Sequence, residues 1–247
     1  MTKPLDGKVA IVTGVSSPVG IGAAVARRLA GSGARLLVAA DASPDSVAKE
    51  CADLLGDPKA VLPLTVDLGD SASVTAMVAE AEKRFGRVDL LVNNAAVRIN
   101  RRFGEFSATE FDRAVAVNLR APFLLAQRVL PGMRGRAWGR ILFVSSVAAF
   151  TGGIVGPHYA ASKSGLHGLT HFLAARVARD GVTVNAIAPA LVEDTGMLPG
   201  SPEELRSRVP VGRLGRPDEV AELAVAMLAN GYLTSQVVGL DGGMYPR

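Results

Sequence analysis

The chain has 247 residues, with 27 Lys and Arg against 23 Asp and Glu (net charge +4), 49% hydrophobic and 20% charged residues, and one cysteine. A chain this long and this apolar can bury a core without staples, which excludes a disordered segment, and one cysteine excludes a disulfide framework or a multi-cysteine zinc site. No uninterrupted apolar run reaches the ~18 residues of a membrane span, and so small a charge does not argue for nucleic acid; the expectation is a cytoplasmic protein without a membrane or nucleic-acid partner.

Short apolar runs alternate with amphipathic stretches. Strands are predicted at Val9–Thr13, Arg35–Ala40, Ala60–Val66, Leu90–Val92, Ile141–Ser145, Thr183–Ile187 and Val237–Leu240, and helices over 20–31, 45–55, 71–85, 107–132, 158–180 and 217–229. The strands lack strict polar alternation, as parallel strands covered on both faces do. Strand–helix alternation means βαβ units with right-handed crossovers. The expected fold is therefore α/β: a single Rossmann domain over residues 1–247, a doubly wound parallel sheet of about seven strands with helices on both faces. Ligands of such sheets sit outside the carboxyl ends of the strands, so the informative residues follow each strand. Cys51 falls in the second helical run and reads as a packed side chain rather than a nucleophile.

After the first strand the chain reads Thr13-Gly14-Val15-Ser16-Ser17-Pro18-Val19-Gly20-Ile21-Gly22 and then turns helical. Glycines allow close backbone approach to a pyrophosphate, and the helix that follows offers unpaired N–H groups and a positive dipole end. Gly14, Gly20 and Gly22 are the positions this chemistry needs. The second strand ends at Ala40-Asp41, where a carboxylate accepts both ribose hydroxyls and repels a 2′-phosphate. No Arg or Lys lies in the Val15–Val19 loop or directly after that strand. NAD(H) is accordingly favoured, with NADP(H) possible; the competing reading of Asp41 is a helix cap shared with Ser43.

Further on, Tyr159-Ala-Ala-Ser-Lys163 opens a helical run. At i and i+4 the two side chains share a face, and an ammonium beside a phenol lowers a pKa otherwise near 10. Ser145-Ser146 ends the fifth strand, with Ser146 thirteen residues before Tyr159. Ser145 is expected to face the strand's other side. Asn118, between Val117 and Leu119, is expected to disturb its long helix and to hold a water on a proton relay to Lys163.

With this glycine loop and this Ser–Tyr–Lys set, the chain resembles the short-chain dehydrogenase/reductase family over essentially its whole length, in particular its ketoreductase members. The resemblance implies an NAD(P)-dependent enzyme that interconverts a ketone and a secondary alcohol, small-molecule carbonyl or alcohol compounds being its substrate. It implies catalytic roles for Ser146, Tyr159, Lys163 and Asn118. It places dinucleotide contacts at Gly14, Ser16, Ser17, Gly20, Ile21, Gly22 and Asp41, at Asp67 and Leu68 beside the adenine, and at Asn94, Ala95 and Ala96. Tyr159, Lys163, Pro189, Val192 and Thr195 complete that set. Asn93 is expected to brace the central strands, residues 190–216 to form a substrate lid, and Asp241-Gly242-Gly243 to be structural. A homotetramer is implied, with helices 107–132 and 158–180 between subunits.

The sequence departs from the family pattern in places. Five residues rather than three separate Gly14 from Gly20, Ala96 and Ala190 stand where the family has Gly, and Thr195 comes one residue late after Pro189. The longer loop is similar to that of enoyl-thioester reductases, an alternative reading, but their Tyr and Lys are six residues apart. A non-catalytic nucleotide sensor would keep the glycine loop and usually lose Tyr159 or Lys163. His167 and His171, four apart, read as packing or subunit contacts, so no metal is expected; His158 is not expected to act in catalysis. Arg98, Arg101 and Arg102 form either a solvated basic loop or a rim that attracts an anionic substrate or an acyl-carrier protein. Trp138 is expected to anchor the turn before the fifth strand.

Overall fold

The computed structural model describes residues 4–99, 101–196, 198 and 200–245. Its strands are β1 (Val9–Thr13), β2 (Arg35–Ala40), β3 (Val61–Thr65), β4 (Leu90–Asn93), β5 (Gly139–Val144), β6 (Val182–Pro189) and β7 (Val237–Leu240). Between them run helices α1 (Ile21–Gly31), α2 (Asp45–Leu55), α3 (Ser71–Phe85), α4 (Ala108–Val115), α5 (Ala121–Gly135), α6 (Ala148–Thr151), α7 (Pro157–Val177), α8 (Pro202–Arg206) and α9 (Pro217–Ala229). The strands form one 7-stranded sheet in the order β3-β2-β1-β4-β5-β6-β7, every pair parallel.

Successive strand residues serve opposite layers. In β1, Ala10 and Val12 pack with Val25 of α1, Val47 of α2 and Ala224 of α9. Val9 and Ile11 pack with Met77 of α3, Leu125 of α5 and Leu166 of α7. Two covered faces explain why the strands read as unbroken apolar runs. The order of the strands reverses direction between β1 and β4, which opens a crevice at their carboxyl ends. At the opposite end, fully buried Asp89 accepts the Val9 N–H (3.0 Å) and pairs with Arg87 (2.6 Å) and Arg136 (3.6 Å). There the indole of Trp138 is stacked by Lys8 (4.0 Å) and Arg140 (4.3 Å), which anchors the turn into β5.

The predicted helix over 107–132 is broken. α4 ends at Val115, a π-helical turn spans Ala116–Arg120, and α5 runs on to Gly135. A π turn commonly marks a functional site, and this one turns Asn118 fully inward. The run over 158–180 ends in a 3₁₀ turn at Ala178–Asp180. After β6, Val192 bridges to Gly215. The segment beyond it carries its own helix, α8, and a small core of Leu205, Val209 and Leu214. The Val211 N–H donates to the Gly242 carbonyl (3.1 Å), so the Asp241-Gly242-Gly243 turn holds the base of that segment. Cys51 is buried and burial pushes its thiol up to about 12, as a packed side chain requires. Among the described residues, no helix is long and apolar enough to cross a membrane.

Candidate active site

The crevice begins at the glycine loop. Gly14 has φ +74°, and a Cβ there would lie 2.7 Å from the Ala95 Cα. A Cβ on Gly22 would strike the Gly14 carbonyl oxygen and lie 2.6 Å from the Asn94 Nδ2. Both positions therefore demand glycine, and the backbone is left bare toward the cavity. α1 opens with Gly20 as its N-cap, no side chain caps it, and its first turn holds no acidic residue. The Gly20 N–H donates to the Ser17 carbonyl (3.3 Å), while the N–H groups of the first turn beyond it have no side-chain cap, as at helix ends that receive a phosphate.

Asn94 locks this loop to β4. Its Nδ2 donates to the Thr13 and Gly14 carbonyls, both at 3.0 Å. The Thr13 hydroxyl accepts from the Asn94 N–H (3.1 Å) and the Ala95 N–H (3.2 Å). The brace between the central strands is thus Asn94, not Asn93 as expected. Asn93 is the preceding residue and points to the other layer, where its buried amide makes no hydrogen bond among the described residues.

All the residues assigned to the dinucleotide line one cleft of about 1150 Å³, open mouth included: Gly14, Ser16, Ser17, Gly20, Ile21 and Gly22 at one wall, Asp41, Asp67 and Leu68 at one end, Asn94, Ala95 and Ala96 at the floor, and Tyr159, Lys163, Pro189, Val192 and Thr195 toward the other end. Val66, Val97, Val117 and Val144 complete its apolar walls. Asp41 does not cap a helix: α2 begins after Pro44, and Ser43 donates to Asp45 (2.6 Å) instead. Asp67 accepts from Arg113 (2.8 and 3.0 Å) and from the Gly69 N–H (2.8 Å), which together hold its carboxyl below the usual range. Arg113, on α4 and also lining the cleft, was not evident from the sequence. It lies close enough to Asp41 for that carboxylate to stabilise its charge.

At the other end stands the Tyr159 cluster. Gly156 and Pro157 start α7, which turns Tyr159, 8% exposed, and Lys163, 2% exposed, inward. The Ser146 hydroxyl accepts the Ala148 N–H (3.2 Å) and stands near enough to the Tyr159 phenol to favour its ionised form. Ser145 is not turned to the far face. Its hydroxyl donates to the Lys163 carbonyl (3.1 Å) and meets His167 Nε2 (2.8 Å), because β5 ends at Val144 and the chain bends onto α7. The Lys163 ammonium donates to the Val144 carbonyl (2.6 Å) and lies 5.6 Å from the Tyr159 ring centre. Burial pushes Lys163 down to about 7.

The expected acidification of Tyr159 by Lys163 is not what this structure shows. Burial raises the phenol above its ordinary value; the Ser146 hydroxyl and the Arg98 charge pull it back. Asn118 is fully buried, and its side-chain amide is held by protein partners. Its Oδ1 accepts the Val97 N–H (2.8 Å), and its Nδ2 donates to the Val97 carbonyl (3.1 Å) and to Ser162 (3.2 Å). The amide thereby fixes a cleft wall to α7. Fully buried His158 accepts the Ile99 N–H at Nε2 (3.2 Å) and stacks on Phe106. Burial holds its pKa down. His167 and His171 turn to different partners, Ser145 and Ser235.

Sheet order and glycine cradle together define a Rossmann-type fold of the kind that binds nucleotides. The chain belongs to the short-chain dehydrogenase family, whose model, described as short chain dehydrogenase, matches residues 8–205. It is 38% identical to nodulation protein G of Azospirillum brasilense, covering 97% of this chain and 99% of that protein. It is 39% identical to the 3-oxoacyl-[acyl-carrier-protein] reductase FabG of Vibrio cholerae, with 98% of each covered. Among solved structures, levodione reductase matches with a TM-score of 0.88 at 33% identity, over 97% of this chain and 98% of that one.

Proposed function

We propose that the protein interconverts a ketone and a secondary alcohol with a nicotinamide dinucleotide, NAD(H) in preference to NADP(H). The observation that carries this is the standing of Tyr159, Ser146 and Lys163 at one end of a cleft whose wall is the Gly14–Gly22 cradle. The dinucleotide supplies or accepts the hydride. Gly14, Gly20 and the N–H groups of α1 hold the pyrophosphate, and Asp41 accepts from the adenosine ribose. In the reducing direction the Ser146 hydroxyl orients the carbonyl oxygen and Tyr159 delivers a proton to it. Lys163 holds ribose hydroxyls, and its pKa of about 7 lets it exchange protons at neutral pH. Asn118 positions Val97 and Ser162, and residues 190–216 close over the substrate.

The similarity to 3-oxoacyl-thioester reductases makes β-ketoacyl thioesters the first substrates to try. Acetoacetyl and crotonyl thioesters, cyclic diketones, sugars and steroids should be screened with NADH and NADPH in parallel. Turnover of ketones, lost in Tyr159→Phe, supports the reading; turnover of crotonyl thioester alone would make the protein an enoyl reductase. We also read the outer faces of α5 and α7 as subunit contacts of a homotetramer, since Phe123 and Phe172 are 40% and 53% exposed there beside Leu130 and Leu173. Light scattering on the purified protein tests this.

A further inference from the structure

The end of β5 is fastened to α7 at two points of one residue, Lys163. Its ammonium donates to the Val144 carbonyl (2.6 Å), and its main-chain carbonyl accepts the hydroxyl of buried Ser145 (3.1 Å). A serine hydroxyl has one proton to give, and a carbonyl can only accept. With the Ser145 proton committed to Lys163, the 2.8 Å contact between Ser145 Oγ and His167 Nε2 is a hydrogen bond only if Nε2 carries a hydrogen and donates it. The tautomer with a bare Nε2 would compete for the same proton and loosen the clasp on Lys163.

His167 is set in place for this contact. It follows Lys163 by one turn of α7, so both side chains lie toward the same strand end. Phe150 of α6 packs on the imidazole with ring centres 4.6 Å apart, and Tyr245 stacks on Phe150 in turn at 5.5 Å and 8°. Ser145, Ser146 and Lys163 line the cleft together with Tyr159. Ser146 is the next residue after Ser145, so any drift of Ser145 from α7 carries the Ser146 hydroxyl away from the phenol. His171, one turn further along α7, pairs with Ser235 (3.1 Å) instead.

We propose that His167 is a positioning residue of the active site: as an Nε2–H donor it directs the Ser145 hydroxyl onto the Lys163 carbonyl, and so sets the spacing between the Ser146 hydroxyl and the Tyr159 phenol. This rests on Ser146 and Tyr159 acting as proposed above. The stack of Tyr245 on Phe150 makes the C-terminal segment part of the same support.

The test uses the full-length protein with NADH and acetoacetyl thioester. His167→Leu keeps bulk against Phe150 and removes the donor. It is expected to lower kcat about tenfold, the scale of a sub-ångström misplacement of a reacting group. The KM for the thioester and the NADH affinity, read by nucleotide fluorescence, should change by less than about twofold, because binding groups are left intact. His167→Gln restores an N–H donor and should recover most of kcat, and His171→Leu should leave it unchanged. Ser145→Ala should lose as much as His167→Leu, and the double variant no more, since both act through one contact. An undiminished kcat in His167→Leu, an equal loss in His167→Gln, or additive losses in the double variant overturns the proposal. A nitrogen-15 spectrum of the native protein at mildly alkaline pH needs neither substrate nor a folded variant at position 145: a hydrogen on His167 Nε2 supports the proposal, and a bare Nε2 overturns it. The functional reading fails separately, if Tyr159→Phe keeps its turnover.

Discussion

Lys163 is a buried amine whose ammonium, among the described residues, donates to one carbonyl, that of Val144, and this must mark the stability of the protein. Its pKa of about 7 in the fold compares with about 10.5 for a free lysine. Below pH 7 both folded and unfolded chains hold the proton, so the group adds no pH dependence, and the fold bears the full cost of a buried charge. Between pH 7 and 10.5 the unfolded chain keeps a proton that the native one has released, so stability rises with pH by up to ~1.4 kcal/mol per unit. From pH 7 to pH 9, allowing for half-titration of the native group at the lower value, the gain is about 2 kcal/mol. Lys163→Met keeps the aliphatic stem and removes the titration. Urea unfolding of both proteins at pH 7, 8 and 9 isolates the effect as a double difference: wild type should gain about 2 kcal/mol relative to Lys163→Met over that range. Parallel pH profiles would mean that Lys163 titrates normally and that the burial argument is wrong.

Other consequences are as direct. Gly22→Ala places a methyl against the Gly14 carbonyl and should abolish NADH binding, read by nucleotide fluorescence; native affinity would show that the loop yields. Asn94→Ala removes two hydrogen bonds between the central strands and should cost about 2 kcal/mol in urea unfolding, an effect that an intact midpoint would exclude. Asp89→Asn strips the charge from a fully buried carboxylate paired with two arginines and should cost ~3–5 kcal/mol; a loss under 1 kcal/mol would mean that water replaces the carboxylate. Asp41→Ala should improve the NADPH to NADH ratio of binding constants, since it removes a carboxylate from the ribose end of the cleft, whereas an unchanged ratio would assign nucleotide choice elsewhere.

What the sequence made legible was whatever depends on neighbours along the chain. Unbroken apolar runs marked the strands, a glycine loop before a helix marked one wall of the cleft, and a Tyr and Lys one helical turn apart marked the face that α7 turns into it. The π turn was foreshadowed by a lone Asn among apolar residues, although its effect on helix geometry was not. α6 and α8 have four and five residues, too few to show a period. The exchange of Asn93 for Asn94 is a question of parity: one residue of register moves a side chain from one layer to the other. The pairing of Arg98 and the place of Arg113 in the cleft were hidden for another reason. Their partners, Leu198 and Asp67, lie 100 and 46 positions away, and only the assembled sheet brings them together.

The chain contains a single tryptophan, and the fold has placed it at the foot of the sheet, clamped by two cations and remote from the cleft. Its emission is therefore a built-in gauge of scaffold integrity that an occupied or empty cleft should leave almost untouched. Energy transfer from this indole to a reduced nicotinamide would report the distance between the two ends of the molecule. One fluorimeter trace can thus separate a variant that has lost its shape from one that has lost only its ligand.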